Sequence, residues 1–568
     1  MSNKFVLLGL DGATFEMLDP FLEGGHLPVL ASLLEGGARG ILRSTVPPFT
    51  CPAWPTMYTG RNPGAHGVTS FRLIEPGSVS GRSATLRDIA CPRIWTLLNE
   101  AGLRTGIFNV PVTYPADPVE GFMVSGFVTP PGAAEAVQPE RLRGPFAEAH
   151  PHYECNGPEN TALPFETRKQ RRQFMQAMEE AVAMRLAATE WLLEREPVDF
   201  LWVVFETIDR ISHKAYAYLT PKAPHYETAD GREVRELALE VLQAQDRAMG
   251  RILDLMGPDP HAMVVSDHGF MYPRKKFCLH DWLVAKGLMV PKGIGLRGGL
   301  GSPLKALTRR VIGREASRRL MGFLRAKHLV RLPARDPRSA TWDAEQEGTW
   351  DWERSETWLG PAMEYGVRIN GRYGGEEGGM SAEEANRVVQ AVVDGLQSVA
   401  DPETDAPLFD VVGRREQLYD GPFMQRAPEV LFSLRNGYRH ATIPTENASE
   451  DNGWLVPMPE RWPRGVHDMA GVFALGGPGV AQEGTGRVDR VGMADIVPTI
   501  LYAMGLAVPE ELEGRVLEEV FTDQHRAANP IERVERTDRT VETGSDVPTY
   551  SDEEEDLISK RLEDLGYL

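Results

Sequence analysis

The sequence predicts an α/β fold, with a mostly parallel central sheet flanked by helices. Two observations carry this: short continuous apolar runs recur along the chain, and longer stretches with helical spacing separate several of them. The first run, Phe5 to Leu10 (FVLLGL), is closed by Asp11-Gly12 and reads as a buried parallel strand ending in a loop. A helical stretch at Ile94 to Ala101 precedes the second run, Thr105 to Val110. A long helix follows near Thr167 to Glu194, where Phe174, Met178, Val182, Leu186 and Leu193 keep roughly helical spacing. Further runs stand at Asp199 to Phe205, Ala262 to Ser266, Glu429 to Leu434 and Gly471 to Leu475. In such a sheet the chemistry gathers at the carboxyl ends of the strands, so the polar residues that follow the runs matter most.

With 568 residues and 42% hydrophobic content, the chain can bury at least one large core, and its length suggests two or three structural units. A net charge of −20 disfavours general binding to nucleic acid or anionic lipid. No run of 18 or more apolar residues occurs, and MSNKFVLLGLDGATF lacks the pattern of a secretory signal, which places the expected protein in the cytoplasm. Cys51, Cys91, Cys155 and Cys278 lie far apart without CxxC pairing, against a disulfide framework or thiolate zinc site. Between Arg297 and Arg338, twelve Lys or Arg face only Glu315 and Asp336, and Trp342, Trp350, Trp352 and Trp358 follow. The predicted organisation is a core over residues 1–290 and 360–525, a basic, Trp-containing cap insertion at 291–359, and a tail at 526–568. The basic insertion reads as a solvated face, with steering of an anionic substrate or peripheral contact with anionic lipid as its functional alternative. In the tail, Leu557, Ile558, Leu562 and Leu565 form an apolar stripe on an acidic helix that follows a polar linker, which predicts a docking helix.

Asp11 stands just past the first run. Asp209 and His213, after LWVVF, share one helix face if a turn begins there. Asp267 and His268 follow AMVVS, with Gly269 relaxing the backbone so that both side chains can converge. His467 lies just before GVFALG. These oxygen and nitrogen donors suit zinc or manganese. The stretch VPPFTCPAWPTMYTG, Val46 to Gly60, offers Thr50, Cys51, Thr56 and Thr59 as nucleophiles. Pro47, Pro48 and Pro52 disfavour helix before Thr50 and allow it after, with Thr acceptable as the N-cap. A hydroxyl there faces backbone N–H groups and the positive end of a helix dipole, and a divalent cation activates it without a neighbouring base.

In order along the chain, Asp11, Thr50-x-Pro-x(6)-Thr59-Gly60, NPGAHGV, Asp209 with His213, Asp267-His268-Gly269 and His467 resemble the two-metal site of the type I phosphodiesterase/nucleotide pyrophosphatase family in the alkaline phosphatase superfamily. MADIVPTILYAMGLAVPEELEGR, Met493 to Arg515, resembles the family's closing core helix and turn, and NVPVTYP and SGFVTP make the chain similar to the bacterial and archaeal branch of predicted phosphohydrolases or phosphomutases. The resemblance implies an alkaline phosphatase-like core and two divalent cations, with zinc favoured and manganese fitting the same donors. It implies that Asp209, His213 and His467 hold one cation, and that Asp11, Asp267 and His268, completed by Thr50, hold the other. It further implies a small-molecule phosphate ester substrate, diester before monoester, and a phosphorylated Thr50 intermediate. In the nucleotide pyrophosphatases an Asn that binds the transferred group follows the nucleophile helix. Here that position falls on Phe71, so Ser70, Arg72 or backbone N–H groups are the expected substitutes.

Three other readings compete. A sulfatase needs a Cys or Ser at the position of Thr50 and an Arg in the motif, and neither is present. A phosphomutase would use the same residues and return the phosphoryl group to a second hydroxyl of the substrate. A binding or assembly protein on a decayed enzyme fold would have no physical need of a full ligand set. Cys51 reads as a packing residue, His66 as a structural histidine and Asp468 as a support to His467.

Overall fold

The computed structural model describes residues 4–155, 164–291, 350–360, 364–371, 379–441, 453–481, 487–536 and 550–565. Nine strands form the central sheet: β1 (Phe5–Leu10), β2 (Ala38–Arg43), β3 (Thr105–Val110), β4 (Gly121–Ser125), β5 (Val137–Gln138), β6 (Phe200–Phe205), β7 (His261–Val265), β8 (Ala470–Gly476) and β9 (Arg487–Gly492). Their spatial order is β9-β2-β8-β7-β1-β6-β3-β4-β5. β1 lies parallel between β6 and β7, with Leu10 opposite Phe205 and Gly9 opposite Val265. β3 and β4 extend the parallel set, and β2 pairs in parallel with β9. β8 is antiparallel to both β2 and β7, and β5 is antiparallel to β4.

The apolar runs are continuous because both faces of the sheet are covered. Successive strand side chains point to opposite faces, so Phe5 and Leu7 enter one core while Val6, Leu8 and Leu10 enter the other. Phe200, Trp202 and Val204 of β6 join the first core, and Leu201, Val203 and Phe205 the second. The helices Thr50–Thr59 and Ile496–Ala503 supply the first core, and Arg168–Arg195, Thr207–Leu219 and Ala229–Met256 supply the second. Each such fully buried aliphatic side chain contributes about 1.5–3 kcal/mol relative to exposure. β2 was not evident as an apolar run because it alternates, with Ala38, Gly40 and Leu42 buried and Arg39, Ile41 and Arg43 exposed.

The run Glu429 to Leu434 belongs elsewhere. It forms the strand Val430–Leu434 in a separate four-stranded sheet, antiparallel to Gly366–Ile369 and Phe409–Arg414. That sheet and the helix Ala382–Gln397 enclose a third core with Trp282, Trp350, Val392 and Phe432. A short apolar run looks the same whichever buried sheet it joins. Among the tryptophans that follow the basic stretch, Trp358 pairs through the strand Thr357–Trp358 into this lobe. The basic stretch at 297–338 and Trp342 lie outside the described residues.

The tail folds back as the helix Asp552–Leu565, which buries Ile558 and Leu562 in the first core. Leu557, expected in the apolar stripe, is 52% exposed instead. Ile558 and Leu562 are four apart and share a helix face, whereas Leu557 lies a hundred degrees away from Ile558 on the helical wheel, about one step of 3.6-residue periodicity. Among the described residues, no helix is long and apolar enough to cross a membrane.

Candidate active site

Three adjacent parallel strands deliver three carboxylates to one edge of the sheet. Asp11 follows β1, Asp267 follows β7, and Asp209 sits in the first turn of the helix Thr207–Leu219 after β6. The register of β1 with its two neighbours makes these ends level, so convergence is a product of strand pairing. Gly12 has φ +70°, and a Cβ there would stand 2.6 Å from the Phe270 ring, so the turn after β1 requires glycine. The Gly12 N–H in turn donates to Asp267 Oδ1 at 3.3 Å.

The first donor group is Asp209, His213 and His467. His213 is one helical turn from Asp209, with Nε2 3.3 Å from Asp209 Oδ1. His467 lies outside the central sheet, on the strand Val466–Asp468, which pairs antiparallel with Gly269–Met271. Its Nε2 stands 3.0 Å from His213 Nε2 and 3.5 Å from Asp209 Oδ1. His467 Nδ1 faces the Pro48 carbonyl oxygen at 3.2 Å, which only accepts, so the proton belongs on Nδ1 and the Nε2 lone pair faces the group.

The second donor group is Asp11, Asp209 and His268. Asp209 is thus common to both. The sequence-based set placed Asp267 here instead; Asp267 Oδ2 lies 3.2 Å from His268 Nε2, and Asp11 Oδ1 lies 3.7 Å from it. His268 Nδ1 faces the Gly269 carbonyl oxygen at 3.2 Å, again leaving Nε2 for the site. The rings of His268 and His467 stack with centroids 3.6 Å apart and join the two groups. Thr50 Oγ1 is 3.2 Å from His268 Nε2. Phe49, in extended conformation, is the N-cap, and Thr50 is the first residue of the helix rather than its cap. The Thr50 hydroxyl is therefore turned to the site and not spent on capping.

The electrostatics ask for cations. Burial, then the charges of Asp267 and Asp209, hold the Asp11 carboxyl well above its ordinary range. Burial and then Asp209 push Asp267 up to about 8. For Asp209 burial acts upward but is outweighed by His213, His467 and Arg210, which hold it well below the ordinary range. Burial, followed by the neighbouring His467, lowers His268 well below its ordinary value. Trp54 Nε1 donates to Asp11 Oδ2 at 3.3 Å, while buried Asp11 Oδ1 and Asp267 Oδ2 have no hydrogen-bond partner among the described residues. Three carboxylates and imidazole lone pairs at such separations fit divalent cations with mixed oxygen and nitrogen donors.

Two expected substrate groups are placed differently. Arg72 Nη1 donates to Glu555 Oε1 at 2.9 Å and Ser559 Oγ at 3.1 Å, and Nη2 donates to the Gly81 carbonyl. The C-terminal helix thus occupies Arg72, a partner 483 residues away that local sequence does not reveal. Ser70 is buried beside Cys51, whose Sγ donates to the Ser70 carbonyl at 3.3 Å. Burial holds the Cys51 thiol well above its ordinary value, consistent with packing. Thr56 and Thr59 bond to the carbonyls of Pro52 and Pro55 within the helix. His66 is fully buried, accepts from the Val68 N–H at Nδ1, faces Thr56 Oγ1 through Nε2, and is lowered by burial to about 3, a neutral structural histidine.

Arg210 is the residue that sequence reading passed over. Its side chain is buried, with Nη1 3.6 Å from Asp209 Oδ2 and the guanidinium carbon 4.8 Å from the centre of the Phe127 ring. Phe127 packs edge-on against Phe71 at 5.8 Å. The available signal was a basic residue directly following a ligand Asp, in TIDRISH.

The family model described as type I phosphodiesterase / nucleotide pyrophosphatase matches residues 5–469. Similar solved structures include phosphonoacetate hydrolase from Sinorhizobium meliloti 1021 in complex with phosphonoformate, at 16% identity over 88% of this chain and 94% of that one, with a TM-score of 0.45. Human ectonucleotide pyrophosphatase / phosphodiesterase 5 is 13% identical over 91% of this chain and 100% of its own, with a TM-score of 0.45. A mutant of the alkaline phosphatase PafA is 13% identical over 91% and 99%, with a TM-score of 0.46. No curated protein sequence matches this chain.

Proposed function

The chain belongs to the type I phosphodiesterase/nucleotide pyrophosphatase family and is a metal-dependent hydrolase of small-molecule phosphate esters, and from this we propose that it cleaves phosphodiesters in preference to monoesters through phosphorylated Thr50. The observation that carries the reading is Thr50 Oγ1 at 3.2 Å from His268 Nε2, beside two donor groups that share Asp209. Asp209, His213 and His467 would hold one cation, and Asp11, Asp209, Asp267 and His268 the other, with zinc the favoured ion and manganese fitting the same donors. When bound, the cations supply Lewis-acid charge that favours the alkoxide and the developing charge on the phosphoryl oxygens.

Thr50 Oγ1 loses its proton and attacks phosphorus. The P–O bond to the leaving alcohol breaks, and the alcohol leaves with a proton. Water then attacks this phosphorus, which still carries the second ester group, restoring the Thr50 hydroxyl and releasing a phosphate monoester. Arg210 takes the part of the amide missing at Phe71, placing a positive charge beside Asp209 where phosphoryl oxygens gather. Phe127 carries the guanidinium on its ring face and fixes its approach.

The test is hydrolysis of bis(p-nitrophenyl) phosphate and p-nitrophenyl phosphate by zinc-loaded protein and by Thr50→Ala, with metal content measured on both. The diester is cleaved with the higher kcat/KM, and Thr50→Ala loses activity while keeping its metal. Equal activity of Thr50→Ala and wild type contradicts the reading. Transfer of the phosphoryl group to a second substrate hydroxyl, without release to water, identifies a phosphomutase instead.

A further inference from the structure

A second set of groups lies on the loop that leads to His467 and on a strand beside it. The strand Tyr438–Ala441 of the smaller lobe and the loop leading to His467 bring Arg439 and Arg464 to the same indole, with guanidinium carbons 5.2 Å and 5.5 Å from the Trp462 ring centre. Arg439 is half-buried, and among the described residues its side chain makes one long hydrogen bond, Nε to the His440 carbonyl at 3.4 Å. Among the described residues neither arginine has a carboxylate within ion-pair distance, although the chain carries 81 acidic residues. Trp462 Nε1 is buried and has no hydrogen-bond partner among them.

The cluster is tied to the reacting centre by two routes. The Pro463 carbonyl accepts from the Ala217 N–H at 2.9 Å, and the Gly465 N–H donates to the Ser212 carbonyl at 3.0 Å, so the loop is stitched to the helix that carries Asp209 and His213. A Cβ at Gly465 would stand 2.7 Å from both Phe270 and Tyr216, which shows how closely the loop approaches that helix. On the other side Tyr365 packs edge-on against His440, the neighbour of Arg439, at 4.9 Å and against Phe49 at 4.8 Å. Phe49 immediately precedes Thr50, and its ring centre is 5.4 Å from that of His467.

We propose that Arg439, Trp462 and Arg464 form a subsite for a second oxyanion of the substrate, carried on the part of the molecule that is not transferred. Two like charges on one aromatic ring, with no counter-charge among the described residues, are stabilised by an oxyanion that bridges them, and the indole N–H supplies a further donor. Burial and then the charge of Arg464 hold the Arg439 guanidinium below its ordinary range, the tension that a bound anion relieves. This rests on the hydrolase reading, since the subsite selects among esters that Thr50 attacks.

The test is calorimetric titration of the zinc-loaded full-length protein with n-alkylphosphonates of graded length and with their ω-carboxy and ω-phosphono analogues. At the length that spans the two sites, the dianionic series binds about tenfold or more tighter than the plain alkylphosphonate. The two analogue series separate a carboxylate from a phosphate as the preferred oxyanion. The variants Arg464→Met and Arg439→Met each reduce the advantage, and together they abolish it, while plain alkylphosphonate affinity stays within about twofold. An advantage that survives in the double variant, or no advantage at any length in the wild type, overturns the proposal. The thermal midpoint of each variant checks folding, and exposed Arg464 keeps the test open if Arg439→Met unfolds. Loss of the hydrolase reading shows separately, as failure to release p-nitrophenol from bis(p-nitrophenyl) phosphate.

Discussion

Asp209 is the side chain on which both donor groups depend. Asp209→Asn is therefore expected to lower zinc content at both positions, whereas His213→Ala, present in one group only, lowers it by about one equivalent per chain at the other's retention. Elemental analysis after gel filtration measures this, and equal losses in both variants contradict the shared role. Arg210→Met is expected to lower kcat about 100- to 1,000-fold with a smaller change in KM, as removal of a transition-state donor does. A change in KM alone would mean that Arg210 contributes only to ground-state binding. The Asp and His residues were legible because each adjoins a recognisable run, whereas Arg72 and Arg210 were not legible in their roles. Arg72 is decided by Glu555 at the far end of the chain, and Arg210 by an aromatic ring from another loop.

At the scale of elements, the helix Asp552–Leu565 is a structural part of the core that faces the Thr50 helix. Ile558 and Leu562 are buried there, Tyr550 stacks on Tyr114 at 5.7 Å and donates to the Val128 carbonyl at 2.7 Å, and Glu555 accepts from Ser83 and Arg72. Leu562→Ala is expected to cost about 2–5 kcal/mol in denaturant unfolding. A loss within the range of surface substitutions, about 0.5 kcal/mol, would show that the helix does not contribute to the folded core. The periodicity of β1, β3, β6 and β7 revealed these strands almost to the residue, because parallel strands buried on both faces are apolar throughout. Pairing was not legible: nothing in GVFALG shows that β8 runs antiparallel to both neighbours, or that His467 precedes it on a strand outside the central sheet.

For the whole molecule, the buried carboxylates make stability depend on metal and pH together. Well above pH 6.5, where the unfolded chain's histidines have lost their protons, the lowered histidines His268 and His467 are neutral in both states and drop out of the balance. Between there and about 8, Asp267 without metal keeps its proton in the fold, while the unfolded chain, near 3.8, has lost it. The folded state then binds more protons, so the stability of chelated protein falls as pH rises through that window. Zinc takes the place of the proton, raises the thermal midpoint and reverses this fall; calorimetry at several pH values checks it, and a pH-independent midpoint for chelated protein contradicts it. The alliance of two cores, one sheet edge and a second lobe leads to a single chemical claim, that Thr50 carries the phosphoryl group. The direct measurement is acid quench of the zinc-loaded protein during turnover of bis(p-nitrophenyl) phosphate, followed by mass spectrometry of the peptide that contains Thr50. The account predicts a p-nitrophenylphosphoryl group on Thr50 in the wild type and none in Thr50→Ala. An unmodified Thr50 throughout turnover, with Thr50→Ala hydrolysing the ester at the wild-type rate, would contradict it.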